Sequence, residues 1–253
     1  MPAATSHSEI VTRLRESVAD VRPRRVAALP FALPEIDRRL ADHGLDGAAL
    51  HDIAPAAPSL SDDAAATLFI AGITARLAAA ADTRVLWVVS RFDLYAPGLE
   101  QAGLPPGRIL FAEGREDKDV LALMEDGLRH GALAAVVGEV RRADMTASRR
   151  LQLAADAGST PAFLSRRWRR QGVCPLSELS AATTRWRIAC APSERLPAPG
   201  VGRARWTVEL VRQRGGNPFS LLVEASDDTG RLALPAGAQH RAAPADGATA
   251  RAA

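Results

Sequence analysis

Between Pro30 and Glu224 the apolar residues recur with two alternating periods. Ile36 and Leu40, four apart between Pro34 and Gly44, predict a short helix from Glu35 to Asp42, and Ala48 to Ile53 reads as a first strand. A loop from Ala54 to Asp62 leads into an apolar helix from Asp63 to Ala80. The run Arg84 to Val89 has no polar face, as expected of a strand covered on both sides. A short helix (Pro97 to Ala102) and a strand (Ile109 to Phe111) follow. Val120, Leu121, Met124 and Leu128 then mark the inward face of a helix from Glu116 to His130. Leu133 to Val137 is a further buried strand, Thr146 to Ala157 a helix and Thr160 to Leu164 a strand. Strands alternating with helices predict an α/β fold: a mainly parallel sheet flanked by helices.

The last third alternates with period two instead. Trp186, Ile188 and Cys190 share one face opposite Arg185 and Arg187, and Trp206, Val208 and Leu210 face away from Arg205, Thr207 and Glu209. Both tryptophans are therefore expected in the core. The turn Gly215-Gly216-Asn217-Pro218 precedes a strand from Phe219 to Glu224, and the three segments read as C-terminal antiparallel strands. Ahead of the core, Ile10, Leu14, Val18 and Val21 describe an amphipathic helix over residues 8–21, a separate element suited equally to docking on a neighbouring copy of the chain or to holding a different protein. Its alternative is to pack back on its own domain. Past Pro235 the chain is Ala, Gly, Pro and Arg without period, and is expected to be disordered. Three parts follow: residues 1–29 as helix and linker, 30–234 as one core domain, 235–253 as tail.

Composition sharpens this picture in two respects. Of 32 basic residues only Lys118 is lysine, so any chemistry needing an ammonium group has one candidate. The net charge of +3 conceals a division: residues 1–140 carry 14 basic and 20 acidic side chains, residues 141–214 carry 15 and 5. An arginine-rich half beside an acidic one suits an anionic partner such as nucleic acid, unless it reflects only a codon bias toward arginine. Cys174 and Cys190 have no CxxC partner, the five histidines show no metal spacing, and no G-x-S-x-G elbow is present. No metal or other cofactor is expected. Lacking an apolar run of eighteen residues or a secretory leader, the protein is expected in the cytoplasm, associated with the nucleoid and away from membranes.

The order of elements resembles a known family. The opening FALPEIDRRLADHGLDGAALHDI (31–53) is similar to the start of a RecA-type ATPase core. LYAPGLEQAGL (94–104), ALAAVVGEV (132–140), MTASRRLQLAADAG (145–158) and TTRWRIACAPS (183–193) resemble the ImuA family, RecA-like proteins of bacterial damage-induced mutagenesis. The resemblance, spanning about residues 30–224, implies a RecA-like core and an accessory role in SOS mutagenesis and translesion DNA synthesis. It implies as partners an ImuB-type homologue of Y-family polymerases, an error-prone DnaE-type polymerase and single-stranded or primer-template DNA, with RecA a further candidate.

A phosphate loop G-x-x-x-x-G-K-[ST] needs glycines so that backbone N–H groups can approach phosphate, and a lysine to reach its oxygens. The equivalent stretch here, Ala54 to Asp63, has neither; two prolines remove donors, and Asp62 and Asp63 repel a triphosphate. The strand that should end in a magnesium-binding acid reads Val136-Val137-Gly138, with Glu139 one place later, and the strand that should present a water-activating glutamate ends Val89-Ser90-Arg91. ATP hydrolysis is therefore not expected.

What remains is cationic. Arg166, Arg167, Trp168, Arg169 and Arg170 follow a strand at the edge where α/β sheets present ligands, and Arg141 and Arg142 follow the preceding one. Guanidinium groups bind phosphates and an indole stacks on an unpaired base, so these seven residues are the candidate DNA-binding set; the other reading of 166–170 is a solvated arginine cluster with Trp168 packed under it. In RecA cores the region after this strand is a DNA-contacting loop, so the resemblance points to the same place. Two other readings stay open: a competitor that caps RecA filaments without touching DNA, and an ATP-dependent recombinase-like protein.

Overall fold

The computed structural model describes residues 26–168, 172–194 and 199–236. The expected N-terminal helix with Ile10, Leu14, Val18 and Val21 lies outside the described residues, as do Arg169, Arg170 and the tail from 237 onward.

Among the described residues the chain forms one eight-stranded sheet. In chain order the elements are α1 (Pro34–Asp37), β1 (Leu50–Pro55), α2 (Leu60–Ala81), β2 (Val85–Val89), α3 (Ala96–Gln101), β3 (Ile109–Glu113), α4 (Asp117–His130), β4 (Ala135–Val140), α5 (Met145–Gly158), β5 (Ala162–Arg166), β6 (Thr184–Ala191), β7 (Arg205–Gln213) and β8 (Phe219–Glu224). Across the sheet the strands run β3-β2-β4-β5-β1-β6-β7-β8. The first six are parallel, and β7 and β8 extend the sheet antiparallel. This is the expected α/β architecture with C-terminal antiparallel strands.

Side chains on each strand alternate between two cores because both faces are covered. Ile53, Trp87, Val137, Phe163 and Trp186 point to the side of α2, where Phe31, Ile36 and Leu99 also pack. Leu50, Val88, Val136 and Leu164 meet α4 and α5. Trp186 and Trp206 are 1% and 2% exposed, as their alternation predicts, with the Phe69 ring 5.8 and 6.4 Å from them. α2 is 22 residues long with a mean hydropathy of 1.6, enough by length and composition to cross a bilayer. It instead lays Ala66, Phe69, Ile70 and Ile73 against the sheet as a core helix.

Several boundaries differ from expectation, each for a physical reason. β1 runs on to Pro55 because β6 pairs alongside it, Ile188 opposite Pro55. α2 begins at Leu60, three residues early, since Ser59 caps it by accepting the Asp62 N–H at 3.2 Å. β4 extends past Val137 to Val140 because β5 pairs with it as far as Arg166. Arg185, expected on an open face, is buried: the segment after β5, with its 3-10 turn Pro175–Ser177, covers that face, and the Arg185 guanidinium donates to Asp52 at 3.2 Å and to the Glu178 carbonyl at 2.9 Å.

Candidate nucleic-acid interface

Parallel strands bring the ends of β1, β2, β4 and β5 to one edge. The loop from β1 to α2 is where a RecA core would cradle phosphate, and the N–H groups of Ala56, Ala57 and Ser59 in it are engaged. Ala56 N–H donates to the Ile188 carbonyl and Ser59 N–H to Ala57, both at 2.8 Å, while Pro55 and Pro58 have none to give. Ala57 N–H donates to the Asp62 carboxylate at 2.9 Å, and the other oxygen of that carboxylate accepts from Cys190 N–H at 2.8 Å. A helix N-terminus attracts an anion, and here the anion is the chain's own Asp62. The indole of Trp168 closes the loop from above, donating to the Pro55 carbonyl at 3.0 Å. These residues do not fit a nucleoside triphosphate. Lys118 lies elsewhere, 75% exposed and paired with Glu116 at 2.8 Å.

On β4, Gly138 and Glu139 meet different surroundings. Gly138 faces α4, and a Cβ added there would lie 2.1 Å from Met124 Sδ, so this site is reserved for close helix packing. Alternation turns Glu139, one place later, to the opposite face of β4, beside the ligand edge. It is not free: Trp87 Nε1 donates to one oxygen at 2.9 Å, and Arg167 donates through Nε at 2.9 Å and through a terminal nitrogen to the other. Arg167 also pairs with Asp93 at 3.1 Å. Burial raises the Glu139 pKa, with Arg167 and Trp87 opposing the rise. Burial likewise raises that of Asp63, and Arg167 is again the opposing charge. One guanidinium therefore sits among three carboxylates, beside a void of about 20 Å³, enough for one water.

The seven predicted DNA-binding residues separate. Arg166 is a correction: it is 0% exposed, bonded to Glu178 at 2.5 Å and to the Ala143 carbonyl at 3.1 Å, because the segment after β5 folds back over it. Trp168 is half-buried and tied to the loop, so it does not stand free as a stacking platform. Arg167 reaches the edge, although paired. Arg141 and Arg142 are exposed at the end of β4, their backbone N–H groups held by the Asp117 carboxylate at 3.2 and 2.9 Å. Arg169 and Arg170 fall outside the described residues. In and just before β7, Arg203, Arg205 and Arg212 are engaged with Glu224, Glu194 and the Ser180 carbonyl. Sequence reasoning named Glu139 but not its role, and missed Asp93 and Asp117; these three acids anchor the arginine edge, and for Glu139 the alternation of buried β4 was the available signal.

The chain is similar in structure to the RadB recombinase, with a TM-score of 0.55 over 82% of this chain and 99% of that one at 15% identity. Strand order, the helices on both faces and this likeness define a RecA-like core protein. Protein ImuA of Caulobacter vibrioides strain NA1000 / CB15N is 41% identical over 190 residues, covering 73% of this chain and 75% of the relative, and protein ImuA of strain ATCC 19089 / CIP 103742 / CB 15 matches equally. The chain belongs to the ImuA family. No family model matches it.

Proposed function

We propose that this chain is a non-catalytic RecA-like accessory factor in damage-induced mutagenesis and translesion DNA synthesis, acting in the cytoplasm at the nucleoid. The observation that carries the non-catalytic part is the β1–α2 loop, whose donors are turned inward onto Asp62 and the β6 backbone. The reading of the partners rests on family membership. DNA, single-stranded or at a primer-template junction, lies along the carboxyl edge on Arg141, Arg142 and Arg167, with Arg169 and Arg170 next in the chain. Residues 8–21, through Ile10, Leu14, Val18 and Val21, hold an ImuB-type polymerase homologue, which brings a DnaE-type polymerase. Catalysis belongs to those partners.

The test is fluorescence anisotropy of the full chain on a labelled single strand across a salt series, beside an ATPase assay and affinity capture from damaged cells. Expected are binding that weakens steeply with salt, no magnesium-dependent ATP turnover above buffer, and recovery of the polymerase homologue. Turnover lost in Glu139→Gln overturns the non-catalytic reading. Recovery of RecA without a polymerase, together with salt-independent behaviour toward DNA, overturns the recruitment reading.

A further inference from the structure

Beside the arginine edge, a cavity of about 150 Å³ opens between the end of β4 and the segment leading from β5 to β6; Arg141, Arg167, Val173, Pro175 and Glu178 line it. Sites for drug-sized ligands start near about 300 Å³, so this one admits a single ring system. Its walls are of three kinds. Val173 and Pro175 are apolar, Arg141 and Arg167 bring planar cations, and Glu178 brings a carboxylate. The segment is pre-formed: Ser177 N–H and Oγ both donate to the Cys174 carbonyl, at 2.9 and 2.7 Å, and Arg185 holds the Glu178 carbonyl. One Glu178 oxygen is held by buried Arg166 at 2.5 Å; the other lies 3.9 Å from Arg142 Nε, too far for a hydrogen bond, and keeps its acceptor capacity.

We infer that this cavity takes one unpaired base bearing an exocyclic amine, as cytosine, adenine and guanine do and thymine does not, from a single strand laid along the carboxyl edge. The inference rests on the DNA-binding reading above. A base of this kind offers two faces to apolar and guanidinium surfaces, as in single-strand recognition. Its amine donates to a carboxylate, the contact by which Glu or Asp reads cytosine N4. Thymine presents the O4 acceptor in place of that donor and is disfavoured. The phosphates flanking the base fall to Arg141 and Arg142, whose side chains are exposed.

The experiment compares oligo-dC, oligo-dT and an abasic strand of equal length and phosphate count, by anisotropy with the full chain at two salt concentrations. Expected is oligo-dC binding roughly tenfold more tightly than the abasic strand, with oligo-dT between them. Val173→Trp, at a 57% exposed position where folding is not at stake, fills the cavity and brings all three to the abasic level. Glu178→Gln removes the difference between dC and dT, with its melting temperature measured alongside because Glu178 also holds Arg166. Equal salt-dependent affinity for all three strands overturns the base pocket while leaving DNA binding in place. Absence of salt-dependent affinity for any strand overturns the DNA-binding reading and the pocket with it.

Discussion

Arg166 and Arg167 are adjacent in sequence and meet opposite surroundings. The first ends β5 pointing into the face covered by the segment 172–183; the second turns to the open edge, its side chain 24% exposed. Buried Asp52 lies in the field of Arg166, so removing that guanidinium leaves a carboxylate without one of its compensating charges. Arg166→Met is expected to cost about 3 kcal/mol in urea unfolding while leaving the salt slope of DNA binding unchanged. Arg167→Met should lower that slope by about one, and it carries a stability cost of its own because buried Glu139 loses its guanidinium partner. Glu139 supplies a pH test. Because burial raises its pKa in the native state, folding takes up a proton, and the stability Glu139 contributes is full below its ordinary value of 4.5 and declines as pH rises through the raised one. The stability difference between wild type and Glu139→Gln, from urea midpoints over about pH 4 to 7, should therefore fall with rising pH.

At the scale of elements, β4 and α4 are set by one glycine. Gly138 lets Met124 approach the strand, and any side chain there meets the Met124 sulfur. Gly138→Ala is expected to cost about 2 kcal/mol by overpacking and clearly less when introduced into a Met124→Ala background; an equal cost in both backgrounds would refute the contact. Periodicity in the sequence located every strand and the longer helices of the described core to within a few residues, because covered parallel strands leave near-continuous apolar runs and amphipathic helices leave spaced ones; the first helix, expected to Asp42, ends at Asp37, and the 3-10 turns Pro106–Arg108 and Pro175–Ser177 left no periodic signal. It could not set β4's end. The run Ala135 to Val140 contains an acid, and only the pairing of Glu139 with Trp87 and Arg167 lets that acid remain inside a strand at 4% exposure.

For the whole molecule, the charge division between the halves becomes a division of the carboxyl edge: acids from β2, α2 and β4 gather around arginines that follow β4 and β5. If the five arginines of the proposed set (Arg141, Arg142, Arg167, and Arg169 and Arg170 by sequence) each neutralise a phosphate, the log–log salt slope on a single strand is roughly −3 to −4, measurable by anisotropy between about 50 and 200 mM salt. A slope near zero would contradict the set. The chain's order of apolar periods determined by itself that the protein is an α/β domain with antiparallel strands at its C-terminal side, that Trp186 and Trp206 are core, and that the β1–α2 loop lacks the glycines and lysine of a phosphate cradle. These are local properties, carried by which residue types stand at which spacing. Which arginine of the run 166–170 is structural, which acid faces the edge, and where Asp62 finds its donors were decided only by the tertiary structure. Those answers depend on partners such as Glu178, Met124 and Cys190, far away in the chain, and a one-residue shift in strand register reverses the face on which each side chain falls.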